Sequence, residues 1–351
     1  MKEHGCMKHR WLLVAILFAL GAATALFPQT LLAQAFLVQT HSSPTAGAIS
    51  ASPETRPQPP LQSHPPFKRH PVVALTFDDL PAGGGLRPGV TRVGILTHLT
   101  EELRANHLKG VYGFVNAVDL GGDPDTQQAL RIWMGAGMNI GNHTWSHPAL
   151  SSETAADYEH NIALDEPALR QYAGKRNWHW LRFPYMEEGD TLAKRNDVRD
   201  WLRQHGYRIA EITLNFNDDD WSDPYLRCME KHDQAGIAWL QQSYLEAAAQ
   251  LIPFEREEQQ LAFGHEIPNV LLLHATEFTT LMLPSLIRLL KQQGFRFASL
   301  PKVEKNRAYA LDPAIGLPNG GQFSDEFLYA QHVKPPPSFP EPVKHLNDLC
   351  R

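Results

Sequence analysis

The stretch Val72-Val73-Ala74-Leu75-Thr76-Phe77-Asp78-Asp79 decides how this chain is read. A run of apolar and β-branched residues stops abruptly at two adjacent carboxylates. Such a run fits a strand buried on both faces of a parallel sheet. Two neighbouring acids at its end repel one another unless a cation or an arginine stands beside them. In parallel α/β folds the chemically active residues gather at the carboxyl ends of strands. The Asp78-Asp79 pair therefore points downstream, to whatever positive partner the chain brings to it.

Working outward, apolar runs alternate with amphipathic segments from residue 71 onward. Strands are expected at 72–77, 111–115, 138–141, 179–183, 207–214, 270–273 and 295–300. Helices are expected at 91–106, 125–134, 153–172, 194–205, 234–251 and 278–292. In the first of these, Val93, Leu96, Leu99 and Leu103 recur at the three-to-four spacing of a one-sided helix. Repeated strand–helix units imply an α/β fold with a parallel sheet and right-handed crossovers. About seven units suffice to close, or nearly close, a barrel. Past residue 301 the pattern fades. Residues 302–351 carry Gly316, Gly320-Gly321, Pro335-Pro336-Pro337 and Pro340, and are expected to form an extension packed on the 71–301 domain.

The front end reads differently. Lys2, Lys8 and Arg10 precede an uncharged apolar run from Trp11 to Leu20, and Ala33-Gln34-Ala35 has the small-x-small form of a cleavage site. Residues 1–35 are expected to be a signal peptide, with an uncleaved membrane anchor as the alternative. Residues 36–70, rich in Pro, Ser, Ala and Gln, form an expected linker too polar to fold alone. The 351-residue chain has a formal net charge of −6, and loss of 1–35 removes a net +2, leaving −8. That balance argues against nucleic acid or an anionic membrane as a partner, and no stable membrane insertion is expected once the leader is gone. The expected location is secreted or periplasmic. Of the three cysteines, Cys6 lies in the leader. In an oxidising compartment Cys228 and Cys350 are candidates for one bridge, with two free buried thiols as the alternative. Nothing in the sequence bears on oligomeric state.

At the expected strand ends stand further groups with chemistry. After the third strand comes Asn142-His143-Thr144-Trp145-Ser146-His147. Two histidines four apart are expected to meet on one side of a helical turn, where two imidazoles suit one metal. With a carboxylate from the first strand they make an Asp-His-His set. Three protein ligands plus a position open to water is the pattern of a catalytic zinc site. The fourth strand ends in Leu181-Arg182-Phe183-Pro184-Tyr185, where Arg182 can hold a carboxylate ionised. The fifth is followed by Asn217-Asp218-Asp219-Asp220-Trp221. The sixth ends in Leu272-Leu273-His274, a candidate general acid.

In this order, T-F-D-D, H-T-W-S-H, R-F-P-Y, D-W and L-L-H resemble the polysaccharide deacetylase family, carbohydrate esterase family 4 with the NodB homology domain, over residues 71–301. The resemblance implies a distorted (β/α) barrel of about seven parallel strands. The implied activity is metal-dependent hydrolysis of the acetamide on N-acetylglucosamine-containing glycans such as chitin oligomers or peptidoglycan. The implied cofactor is Zn²⁺, or another divalent metal such as Co²⁺ or Ni²⁺. By the same resemblance Asp78 is the base and Asp79, His143 and His147 the metal ligands. Arg182 pairs with the base, and the backbone N–H of Tyr185 helps bind the oxyanion. Asp220 tunes the general acid His274, and Trp221 walls the pocket. The chain departs from the family pattern at Leu80, at Met186-Glu187-Glu188 and at Ala275-Thr276-Glu277, all expected where substrate would touch. Those departures leave room for an amidase or cyclic-amide hydrolase acting on a small non-sugar substrate. A non-catalytic carbohydrate-binding protein is the third reading, against which the presence of both Asp78 and His274 argues.

Overall fold

The first strand carries its apolar run into a seven-stranded parallel sheet in the computed structural model, which describes residues 70–81, 83–337 and 342–351. The expected leader, and the expected linker up to residue 69, lie outside the described residues. The strands are β1 (Val72–Leu80), β2 (Tyr112–Val115), β3 (Asn139–Asn142), β4 (Trp180–Leu181), β5 (Arg208–Ile209), β6 (Asn269–His274) and β7 (Arg296–Phe297). Their order is β5-β4-β3-β2-β1-β6, with β7 paired to the start of β1. The two edges meet. Beyond β5 the chain runs on to Leu214, which bridges Leu271 of β6 in parallel, and the Leu272 amide donates to the Leu214 carbonyl at 3.0 Å. The sheet thus wraps into a distorted (β/α) barrel.

Helices α1 (Arg92–Ala105), α2 (Pro124–Gly135), α3 (Ala155–Ala173), α4 (Leu192–Gln204), α5 (Ser222–Glu230), α6 (Gln234–Phe263) and α7 (Glu277–Gln292) intervene between the strands. The starts are written locally. The side chains of Thr91, Asp123, Thr154, Thr191, Asp233 and Thr276 each accept a backbone N–H in the first turn of the helix that follows. Helix α6 runs past its expected end at residue 251, through Pro253, to Phe263. The missing N–H is outweighed because Glu255, Gln259 and Ala262 beyond it are buried against the rest of the fold. Beyond β7 follow α8 (Leu300–Val303), α9 (Phe323–Ala330) and α10 (Val343–Asp348). Phe323, Phe327 and Leu328 of α9 bury against Ala262 of α6 and Ile267. Among the described residues no helix is long and apolar enough to cross a membrane.

Strand periodicity sorts the side chains into two layers. Val73, Leu75 and Phe77 of β1 belong to the large cluster that the outer helices cover, together with Leu96, Leu99, Trp133 and Leu283. Ala74 of β1, Tyr112 and Phe114 of β2, Trp180 of β4, Ala210 and Val270 of β6 form a second cluster, inside the barrel, with Leu300 and Val303 of α8. Burying each large side chain contributes about 1.5–3 kcal/mol. The inner cluster leaves little room: a Cβ on Gly141 of β3 would lie 2.6 Å from the Phe114 ring. Continuing the inner series two residues at a time leads from Ala74 to Thr76 and Asp78, from Trp180 to Arg182, and from Val270 to Leu272 and His274. The carboxyl mouth of the barrel therefore receives polar side chains from strands whose lower turns are apolar.

Candidate active site

Adjacent residues of a regular strand point to opposite faces, so Asp78 and Asp79 would not ordinarily share an opening. Here the β1–β2 register slips between Phe77 and Leu80, and Asp79 adopts φ +59°. A non-glycine residue in that region carries a strain of about 1–3 kcal/mol. The bulge brings both carboxylates towards the imidazole of His143, whose Nε2 lies 3.7 Å from Asp78 Oδ2 and 3.4 Å from Asp79 Oδ1.

The two acids have separate company. Asp78 is 3% exposed and receives Arg182 Nη1 at 3.2 and 3.1 Å on its two oxygens. Arg182 is itself 1% exposed. Its Nε donates to the Ala210 carbonyl, its Nη2 to Thr76 Oγ1, and its guanidinium lies over the Phe114 ring. Each nitrogen of the guanidinium has a partner, and Asp78 sits directly against a fixed positive charge. Asp79 Oδ1 instead faces His143 Nε2 and His147 Nε2, each at 3.4 Å, and is buried without a hydrogen-bond partner.

The loop after β3 is not the helical turn expected from the His-x-x-x-His spacing. Thr144 and His147 take φ +64° and +58°, and the stretch is irregular. Backbone contacts supply the order. The Asn116 side chain donates to the His143 and Thr144 carbonyls, the Asn142 side chain accepts the Thr144 N–H, and Thr144 Oγ1 accepts the His147 N–H. The two rings sit 4.7 Å apart at 75°. His143 Nδ1 is 2.9 Å from the Arg182 carbonyl, which only accepts, so the proton sits on Nδ1 and Nε2 turns a lone pair to Asp79.

A carboxylate oxygen facing two imidazole nitrogens, at least one of them presenting a lone pair, is an arrangement that a cation completes. Two atoms each about 2.1 Å from one tetrahedral zinc lie roughly 3.4 Å apart, the separation seen here. The donor set Asp79, His143 and His147 thus fits a divalent metal. Burial pulls the His147 imidazolium down, with the field of His143 adding to it, to about 4, so this ring is neutral near pH 7 as a ligand must be. For Asp79 burial opposes ionisation, but the closeness of His143 and the fields of His274 and His147 outweigh it and hold the carboxyl below its ordinary range.

Opposite stands His274, in register with Asp78 across the β1–β6 pair. Its Nδ1 is 2.8 Å from Asp218 Oδ1, and its backbone N–H donates to Asp218 Oδ2 at 3.1 Å. Thr279 Oγ1 donates to the same Oδ2 at 2.6 Å. Asp219 Oδ1 lies 3.5 Å from the ring. Burial favours the neutral imidazole, yet the charge and hydrogen bond of Asp218, followed by Asp219 and Asp79, raise His274 well above the ordinary histidine value. The side chain next to His274 is therefore not Asp220, as expected, but the fully buried Asp218. The run Asp218-Asp219-Asp220 winds as a single 3₁₀ turn after Asn217, whose φ is +53°, so only its first member is buried. Asp220 lies exposed on the wall of the cavity beside the site. Nor does Trp221 wall that cavity. It is 1% exposed, packs against Phe216 and Tyr244, and donates its indole N–H to Ser243 Oγ.

Tyr185 takes φ +58°, is 60% exposed, and sets its ring edge-on to His147 at 4.6 Å. Its loop is clasped from the extension: the Gly321 N–H donates to the Met186 carbonyl and the Leu317 N–H to the Gly189 carbonyl. The departures from the family pattern mostly fall away from the mouth. Leu80 is fully buried against Gly113. Glu187 accepts the Ser151 N–H, and Glu188 pairs with Arg195 at 3.1 Å and with Arg199. Ala275 is buried and Glu277 pairs with Arg87. Of these residues Thr276 alone lines the cavity.

Fold and site together define a parallel barrel with a metal-type cluster and an acid–base pair at one mouth. Residues 67–210 match the family model described as polysaccharide deacetylase. Chitin deacetylase of Colletotrichum lindemuthianum is 28% identical over 194 residues, which is 51% of this chain and 66% of that protein, just short of two-thirds of its length. The structure of the chitin deacetylase from that fungus superposes with a TM-score of 0.46 at 21% identity, covering 67% of this chain and 88% of that one. A CE4 family pseudoenzyme from Bacillus anthracis gives 0.47 at 15% identity, with 68% and 66% covered.

Proposed function

We propose that the protein is a metal-dependent deacetylase that hydrolyses the N-acetyl groups of N-acetylglucosamine-containing glycans. The observation that carries this reading is the division of labour among the polar groups. One carboxylate, Asp79, joins two imidazoles in a donor set, while Asp78 and His274 stay outside it with partners that favour opposite protonation states. A divalent cation held by Asp79, His143 and His147, Zn²⁺ by preference, would supply Lewis acidity to the acetyl carbonyl and acidity to water. Asp78, oriented by Arg182, takes the proton of the attacking water. The Tyr185 backbone N–H donates to the oxygen on which charge develops. His274, kept protonated by Asp218, gives a proton to the sugar nitrogen, a poor leaving group until it is protonated. The Cys228–Cys350 disulfide supports export to an oxidising compartment, in keeping with a polymer substrate outside the cytoplasm.

The test is acetate release from an acetylated chito-oligosaccharide. Chelation is expected to lower the rate by about 10²–10³-fold, the equivalent of a few kcal/mol of lost transition-state stabilisation. His143→Ala is expected to lose bound metal, read by elemental analysis, together with activity. A chelated protein that works at full rate would remove the metal from the account.

A further inference from the structure

Asp79 and His274 at the mouth border a cavity of about 380 Å³, within the size range of small-molecule sites. Another wall comes from the far end of the chain: Asn347 and Arg351 line the same space, next to Arg227 of α5. Both are exposed, and the segment that carries them is anchored through its other residues. The Cys228–Cys350 disulfide ties their segment to α5. Arg227 donates to the Leu346 and Leu349 carbonyls at 2.8 and 3.2 Å. Leu346 is 3% exposed in the main core, and His345 meets the Trp239 ring at 4.2 Å. Gly236 makes room for the bridge, since a Cβ there would lie 2.9 Å from both sulfurs. Four separate anchors hold the ten described residues 342–351 against the domain.

The chemistry of the cavity is two-sided. Asp219 and Asp223 offer acceptors, and Asn347 and Arg351 bring donors. Neighbouring acceptors and donors suit an uncharged ligand rich in hydroxyl groups better than a ligand of one net charge. We propose that Asn347 and Arg351 are substrate-binding residues that contact the sugar unit next to the one losing its acetyl group, and that the Cys228–Cys350 bridge is a positioning element for them. The inference rests on the deacetylase reading and adds that the substrate is an oligomer.

The test compares the metal-loaded full chain with Asn347→Ala/Arg351→Ala on acetylated chitin oligomers of rising length. Two lost hydrogen bonds at about 0.5–1.5 kcal/mol each correspond to a KM rise of about 5- to 150-fold on the tetramer. The rise is expected to shrink towards the monosaccharide, with kcat held. Cys350→Ser is expected to give the same split between KM and kcat, which a merely stabilising bridge would not. An unchanged tetramer KM in the double variant overturns the proposal. Calorimetric titration with the tetramer separates this failure from that of the deacetylase reading. If no glycan yields acetate, tetramer binding that the double variant lacks still supports the wall, and equal binding or none overturns it.

Discussion

Asp78→Asn is expected to cut acetate release by about 10²–10⁴-fold, the range supplied by a positioned general base. The metal content should stay at the wild-type level. Asp78 is buried among fixed groups, with both oxygens on Arg182 Nη1 and one of them 3.7 Å from His143 Nε2. An asparagine keeps an oxygen for Arg182 but has no basic site for the proton of water. The donor set Asp79, His143 and His147 does not include it, so the two readouts should part. Some stability is lost as well, because Arg182 remains a buried cation with a weaker partner. Comparing turnover at a temperature well below the melting transition keeps that effect out of the rate. A variant with normal turnover would show that the proton goes elsewhere.

Asp218→Asn is expected to produce the second large loss, of about 10²-fold, and to move the pH profile. In the proposed mechanism the active form of His274 is the protonated one, so the rate is expected to fall as pH climbs through its pKa. Asp218 raises that pKa, with Asp219 and Asp79 in smaller measure. Taking its charge away lowers the pKa, and the alkaline limb should therefore slide to lower pH. Asp220→Asn is the control that decides between neighbours. It is exposed and should move the limb by less than Asp218→Asn does. If instead Asp220→Asn moved the limb and Asp218→Asn did not, the assignment of the orienting carboxylate would be reversed. Asp218→Asn should also cost about 1–3 kcal/mol, because Asp218 accepts from the His274 backbone, the His274 ring and Thr279 together.

The contrast between these two aspartates marks how far the sequence can be read. The parallel sheet and its near-closure follow from apolar runs alternating with amphipathic segments, because burial writes itself into composition. Asp78, Asp79 and His274 are visible because each interrupts an apolar run at its end. Within Asp218-Asp219-Asp220, three identical side chains carry no such contrast, and the choice depends on the winding of one short turn. The loop from His143 to His147 is hidden for a related reason. Spacing alone suggests a helical turn, while positive φ at Thr144 and His147 is maintained by Asn116 and Asn142, which are remote or unremarkable in the sequence. Leu80 misleads in the same way, because its position beside the acids suggests the mouth whereas the bulge turns it into the core against Gly113.

The clasp on the Tyr185 loop bears on how the protein can be shortened. Gly320 lies so close that a Cβ there would be 2.5 Å from the Tyr185 carbonyl, and Gly321 and Leu317 bond to the same stretch. A recombinant fragment ending at residue 301 would keep all seven strands of the barrel. It would nevertheless release that loop, bare the apolar patch that Phe323 and Phe327 cover, and leave Cys228 without its partner. Such a fragment is expected to aggregate on expression, and trimming from this end is a poor route to a minimal catalyst.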